Sequence, residues 1–416
     1  MAIISFPTLL ALRDIAPDWL YSITGSGLVL LGAIVAAGLR YPRVTAIPHA
    51  ALWLYAQLAT ASLSAVVALT FGIVPFLSII GNSINLLAAL AITFFISRAQ
   101  IDSGQVIDIL VKSLVAMLLA STVLFLFGVE PASTAWNSIS RASMINNLGI
   151  TIRRADFPLT RGSVSHASLC GIVLVAMWFH PGAKLLRVLA FAAALFGCAL
   201  ADGRAALFFS LVIIVYGQFF RFAGIRMVPL AFIVTAPVYM LAVNFLPTNL
   251  LILLSRSGDA TELLTGSDRA VVWQQALTYM SNNWMIAFFG AGQLGQITVG
   301  LFTGSFGYNF INFKDINNMS LHNAAMQVWI DSGLAGVAVM TSFLFAACKW
   351  LERGRHLPGT KTAAAMLVYT ILNGGFSTYG TIYWDDGFYA VTLIGAATLV
   401  SMPLAYGRQR ELMLKY

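Results

Sequence analysis

Ser320-Leu321-His322-Asn323-Ala324-Ala325-Met326-Gln327-Val328-Trp329-Ile330-Asp331-Ser332-Gly333-Leu334-Ala335-Gly336 carries the chain from a polar segment into an apolar helix. The apolar run continues to about Ala347, and its length marks a membrane span. Asn323 has the short polar side chain of an N-cap, so the helix should begin there. His322 then sits at the positive end of a helix dipole, where a charged imidazolium is disfavoured. A neutral imidazole at a membrane–water boundary suits a general base. An equally weighted alternative is a histidine that only caps the helix.

The same pattern extends in both directions. The 416 residues are 59% hydrophobic and 10% charged, with a mean hydropathy of +0.83. Soluble domains carry about 25% charged residues, so the composition is that of a polytopic membrane protein. The fold class is all-α. Apolar spans are expected over Leu20–Leu39, Ala50–Phe71, Phe76–Ile96, Val106–Phe127, Ser165–Phe179, Leu185–Ala201, Ala205–Phe220, Met227–Leu246, Ala325–Ala347, Thr362–Phe376 and Phe388–Ala405. That gives about 11–12 transmembrane helices, depending on whether the apolar part of residues 1–16 inserts. No cleaved signal peptide is expected, because no basic region precedes an apolar core. No internal repeat is visible, which argues against an inverted-repeat transporter. Cys170, Cys198 and Cys348 lie in apolar runs without metal-ligand spacing and read as small buried hydrophobes.

Basic residues orient the chain. Arg40, Arg43, Arg98, Lys184, Arg187, Arg221, Arg226, Lys349, Arg353, Arg355, Lys361, Arg408, Arg410 and Lys415 fall in alternate loops, which should be cytoplasmic. The whole chain, 1–416, then reads as a single membrane domain. Its opposite face holds two long loops, 128–164 and 247–322, the second one partly helical, and two short connections, Asp202-Gly203-Arg204 and Gly380–Gly387. The net charge of +8 fits anionic lipid or an anionic substrate. Nucleic acid is not expected, since no basic stripe lies outside the membrane pattern.

The outer face also carries Arg141, Arg153, Arg154, Arg161, Arg204, Arg256, Arg269 and Lys314. Long loops translocate regardless of charge, which accounts for Arg141 or Lys314. It accounts poorly for Arg204, which sits in a tight turn between two apolar helices. There the cation needs a partner, either Asp202 or an anion at the membrane surface. In the longer loop, Thr265-Gly266-Ser267-Asp268 signals a helix start, with Arg269 in the first turn. Arg269, Trp273, Leu277 and Met280 recur at helical spacing, so they should share a face. Gly290-Ala291-Gly292 breaks the chain, and without a preceding strand or following lysine it does not read as a nucleotide loop. The segment from Gly295 to Ser320 reads as a mobile loop over a site.

Three of these patterns together resemble the O-antigen ligase and polymerase superfamily, the Wzy/WaaL-like membrane glycosyltransferases. They are the turn Ala201-Asp202-Gly203-Arg204-Ala205-Ala206-Leu207, the run Gly266-Ser267-Asp268-Arg269-Ala270-Val271-Val272-Trp273 followed by Phe289-Gly290-Ala291-Gly292, and Leu321-His322-Asn323 with Gln327, Gly333, Leu334 and Gly336. Arg153-Arg154-Ala155-Asp156-Phe157-Pro158-Leu159-Thr160-Arg161-Gly162 is similar to the segment that precedes the arginine turn in that family. The likeness covers about residues 150–345. The family turn usually reads Ser-Arg where this chain has Gly203-Arg204. The resemblance implies a mostly helical fold and a periplasm-facing site in the bacterial inner membrane. It also implies glycan transfer from undecaprenyl pyrophosphate without a metal or other cofactor.

A lipid-linked pyrophosphate suits arginine, which pairs two donors with phosphate oxygens and keeps its proton. Arg204 and Arg269 are the expected pyrophosphate ligands. Arg153, Arg154, Arg161 and Asn323 are further candidates for substrate binding. His322 is the expected catalytic base, taking the proton of an acceptor hydroxyl that attacks the anomeric carbon with inversion. The acceptor is either lipid A–core sugar (a ligase) or the growing glycan (a polymerase). Glu130, Asp156, Asp259, Asp385 and Asp386 show no pairing that suits hydrolysis by two carboxylates. Tyr379, Tyr383 and Trp384 read more readily as an interfacial belt than as sugar contacts. A lipid-linked glycan transporter and a non-enzymatic scaffold remain alternatives. The first needs polar groups at mid-membrane depth, and the second tolerates loss of His322.

Overall fold

The computed structural model describes residues 48–70, 76–129, 155–160, 162–201, 203–242, 245, 247, 269–292, 295–301, 320–376 and 390–414. Among them every regular element is a helix. In chain order these are α1 (His49–Thr70), α2 (Phe76–Ala99), α3 (Ser103–Leu126), α4 (Gly162–Phe179), α5 (Lys184–Leu200), α6 (Arg204–Phe219), α7 (Pro229–Ala242), α8 (Arg269–Asn282), α9 (Trp284–Phe289), α10 (Gly295–Thr298), α11 (Ala324–Arg353), α12 (Thr360–Gly374) and α13 (Ala390–Leu414). The chain is an all-α membrane protein. The expected span Leu20–Leu39 and residues 1–16 lie outside the described residues. Every other expected span overlaps a helix among the described residues.

Among the described residues three helices, α1, α3 and α11, are long and apolar enough to cross a membrane by length and composition. The helices α4, α5 and α6 have 18, 17 and 16 residues. A straight span needs about 20 residues, so these three are short for a full crossing.

Local chemistry sets the helix ends. Asp102 caps α3 by accepting a hydrogen bond from the Gln105 N–H at 2.9 Å. Pro237 lies within α7, where it cannot donate to the helix ladder.

The packing centre is α4. Cys170, Ile172, Val173, Val175, Ala176 and Met177 are fully buried there among α3, α5, α6 and α12. Close approach relies on small residues, as helix contacts in lipid usually do. A second, smaller cluster joins Val272, Trp273, Ala276 and Met280 of α8 to Ala236, Leu301, Leu321, Met326 and Ile330. It seats the loop helix α8 on the start of α11.

The expected span Ala325–Ala347 lies within α11, and the structure adds a break to it. Gly333 has φ 69 and ψ −174, so α11 is broken there into two pieces. The segment from Gly295 to Ser320 is also more ordered at its start than expected. Gly295 and Gln296 are buried, and α10 begins at Gly295. Residues 302–319 lie outside the described residues.

The bundle has two distinct ends. At one, Arg226 pairs with Glu352 at 3.8 Å, Arg187 donates to the His180 carbonyl, His180 meets Asp108 at 3.2 Å, and Ser103 donates to the Pro358 carbonyl. Lys184, Arg221, Arg353, Arg355 and Lys361 belong to the same connections. At the other end lie the starts of α4, α6 and α11 and the ends of α5 and α12. Ala155 donates to the Leu200 carbonyl there at 2.9 Å, and Asn323 donates to the Gly375 carbonyl at 2.9 Å.

Candidate functional site

The second end carries four of the residues singled out in the sequence: Arg204, Arg269, His322 and Asn323. Arg204 is the first residue of α6, and Gly203 is its N-cap. The Gly203 N–H bonds the Cys198 carbonyl at 2.8 Å, closing the turn from α5. A Cβ on Gly203 would lie against the methyl of Ala167 in α4. The departure from Ser-Arg is therefore steric: the turn packs directly on α4, and this chain has no room for a side chain at 203. Arg204 itself is half-buried. Asp202 lies outside the described residues.

Arg269 opens α8, as expected, and is half-buried. One turn later Trp273 is fully buried, and its indole N–H donates to the Leu321 carbonyl at 2.7 Å. The buried face of α8 is Val272, Trp273, Ala276 and Met280, with Leu277 packed partly against it. Burial pushes the Tyr279 hydroxyl on this helix above its ordinary value, so it stays neutral.

His322 lies one residue outside α11. It has a left-handed backbone, φ 50, which is uncommon for a residue other than glycine. Its flanks are anchored. Leu321 N–H donates to Gln327 Oε1 at 3.3 Å, and His322 N–H donates to Ser320 Oγ at 3.3 Å. Asn323 caps α11, with Oδ1 accepting from Met326 N–H at 2.9 Å. The helix thus has its cap without His322, whose side chain is half-buried at the edge of the bundle.

Asn323 had been a candidate for substrate binding. It is fully buried, and both ends of its amide are bonded to backbone, at Met326 and Gly375. These bonds join the start of α11 to the end of α12.

Aromatic contacts tie the three elements together. Phe209 of α6 meets Phe376 with ring centroids 5.7 Å apart. Phe376 meets Tyr239 of α7 at 5.2 Å, and Tyr239 meets Trp273 at 6.1 Å. This chain runs from the Arg204 helix to the Arg269 helix, and Trp273 then bonds the residue before His322.

Arg153, Arg154 and Arg161 lie outside the described residues, as do Arg256, Lys314, Tyr379, Tyr383, Trp384, Asp385 and Asp386. The segment between the first arginines and Arg161 is described. Ala155 is tied to the end of α5. Thr160 Oγ1 is 2.9 Å from His166 Nδ1, and Phe157 stacks on the His166 ring at 3.5 Å. His166 is fully buried in α4; sequence reading had not singled it out.

Sequence reading also missed the junction beneath the site. Because α11 breaks at Gly333, the carbonyls of Ile330 and Asp331 are free to accept bonds from outside the helix. Ala291 N–H donates to Ile330 O at 2.7 Å, and Gly292 N–H donates to Asp331 O at 3.1 Å. Ser64 of α1 donates to the same Asp331 carbonyl and accepts from Gly292 N–H at 2.6 Å. Gly295 N–H donates to Asp331 Oδ1 at 2.8 Å. Gly290 and Gly333 interlock: a Cβ on either would strike the opposite backbone. The signal was present in the sequence as one acid, Asp331, inside an apolar run beside a glycine.

The fold and site define an all-helical membrane protein with two arginine-bearing helix starts and a strained histidine at one end. The family described as O-antigen ligase (Wzy_C) matches residues 188–341, less than half of the chain. That match supports the O-antigen ligase/polymerase superfamily and an activity of that type. The matched stretch contains Arg204, Arg269, His322 and the Gly290–Gly333 junction, but not Arg153, Arg154 or Arg161. No curated protein matches the chain.

Proposed function

We propose that the chain is an inverting membrane glycosyltransferase of the O-antigen ligase type. It moves a glycan from undecaprenyl pyrophosphate to lipid A–core at the periplasmic face of the inner membrane. The observation that carries this reading is the Trp273–Leu321 bond, which joins the helix opened by Arg269 to the segment that presents His322.

In this reading Arg204 and Arg269 hold the diphosphate by paired charge-assisted bonds and stabilise its charge as it leaves. The acceptor hydroxyl attacks the anomeric carbon. One carbon–oxygen bond forms, and the bond to the phosphate oxygen breaks with its electron pair. Undecaprenyl pyrophosphate departs, and His322 takes the hydroxyl proton and passes it to solvent. Arg153, Arg154 and Arg161 are proposed as further phosphate contacts, because Ala155 and Thr160 are anchored next to the Arg204 turn. The family match supports an activity of the ligase or polymerase type, and the acceptor separates the two.

The test is transfer by the purified protein from an undecaprenyl-pyrophosphate-linked oligosaccharide. Transfer to lipid A–core supports the ligase. Chain extension on a second donor molecule instead makes the protein a polymerase of the same superfamily. Turnover with neither acceptor rejects the proposal.

A further inference from the structure

Gln327 is fully buried at the second turn of α11, and all of its amide bonds go to elements around the site. Oε1 accepts from the Leu321 N–H at 3.3 Å. Nε2 donates to Gln296 Oε1 at 2.7 Å and to Asp331 Oδ1 at 3.0 Å. The Leu321 N–H can only donate, so it fixes which end of the amide is oxygen, and both amide hydrogens are then used.

This amide links two structures that helix geometry alone does not connect. On one side is the left-handed backbone of His322, entered through Leu321. On the other is the broken part of α11, where Asp331 Oδ1 also receives the Gly295 N–H. Asp331 Oδ2 and Ser332 Oγ are buried without a hydrogen-bond partner among the described residues. The junction has little polar satisfaction to spare, so losing one donor is felt by the rest.

We infer that Gln327 is a positioning residue: it holds the His322 backbone in its left-handed conformation and couples it to Gln296 of α10 and to Asp331. This rests on the reading of His322 as the base. Gln327 itself is sealed inside the bundle and acts through the histidine's placement. A misplacement of about 1 Å at a reacting group costs about 10²-fold in rate.

The experiment is a double-mutant cycle on purified protein, with an undecaprenyl-pyrophosphate-linked oligosaccharide as donor and lipid A–core as acceptor. Gln327→Leu should lower kcat roughly 10- to 100-fold and leave the donor KM unchanged, since the arginines bind the donor. In the His322→Ala background the same substitution should cost nothing further, because there is no imidazole left to place. Losses that multiply, or wild-type kcat in Gln327→Leu, overturn the inference. Should Gln327→Leu fail to fold, Gln296→Leu carries the same cycle. It removes one anchor of the amide and should lower kcat several-fold, roughly 3- to 10-fold by the same logic, only when His322 is present. Wild-type transfer by His322→Ala would remove the base assignment and this inference together. A slow His322→Ala with multiplying losses removes only the role of Gln327.

Discussion

Gly333→Ala separates a broken α11 from a continuous one by the sign of its effect. In a continuous exposed helix, glycine to alanine stabilises by about 1 kcal/mol. Here Gly333 has φ 69 and ψ −174, a region open in practice only to glycine, where other residues cost of order 1–3 kcal/mol. A Cβ at 333 would also strike the Phe288 backbone, which cannot rotate away as a side chain can. Relieving the contact means pulling α9 off α11. That exposes the Ala291–Ile330 and Gly292–Asp331 bonds, each worth about 1 kcal/mol net. The expected result is destabilisation of about 3 kcal/mol or more. Thermal unfolding in detergent can be followed through tryptophan emission; Trp284 and Trp329 flank the contact, and Trp329 bonds the Ala287 carbonyl. An unchanged or raised unfolding temperature in Gly333→Ala would refute the break and the loop docking derived from it.

Other outcomes follow from the site. A cysteine placed at position 314, in a background lacking Cys170, Cys198 and Cys348, should label from the side opposite the C-terminus; cytoplasmic labelling would sink the orientation. Arg204→Ala and Arg269→Ala should each abolish transfer while inserting normally, with lysine a poor substitute because it lacks the planar fork. His322→Gln should slow transfer by about 10²–10⁴-fold. EDTA should leave the wild-type rate intact, and inhibition that a divalent ion reverses would bring a metal into the mechanism.

The helices were legible because hydropathy reports them directly, and so were the α11 cap at Asn323 and the start of α8 at Arg269. Both ends are encoded within a turn of sequence. What sequence did not show depends on partners far along the chain. Gln327 looks like an ordinary helix residue until Leu321, Gln296 and Asp331 surround it. Trp273 looks like one more apolar residue on α8 until its indole N–H meets the Leu321 carbonyl. His166 looks like a polar interruption in α4 until Phe157 stacks on it and Thr160 bonds it. The break in α11 was hidden for a different reason. Hydropathy measures side chains, and Gly333 changes the backbone.

That break also explains how the loop at Gly290–Gly292 is held in register within a membrane protein. Apolar surface gives little preference for one helix neighbour over another in lipid, because the tails are as apolar as the side chains. Unsatisfied backbone groups do give a preference, since each costs several kcal/mol in hydrocarbon. Breaking α11 at Gly333 frees carbonyls that the Ala291 and Gly292 N–H groups and Ser64 satisfy. Undocking the loop would orphan both sides at once, so the loop's register is set by hydrogen bonds rather than by fit. Gln327 carries that register to Leu321, and Asn323 carries the position of α12 to the same point. The left-handed backbone at His322 costs of order 1–3 kcal/mol. The three bonds at Leu321, His322 and Asn323, each worth about 1 kcal/mol net, are enough to offset it. The strain therefore stays at His322, and its backbone keeps one position relative to the helix that begins at Arg269.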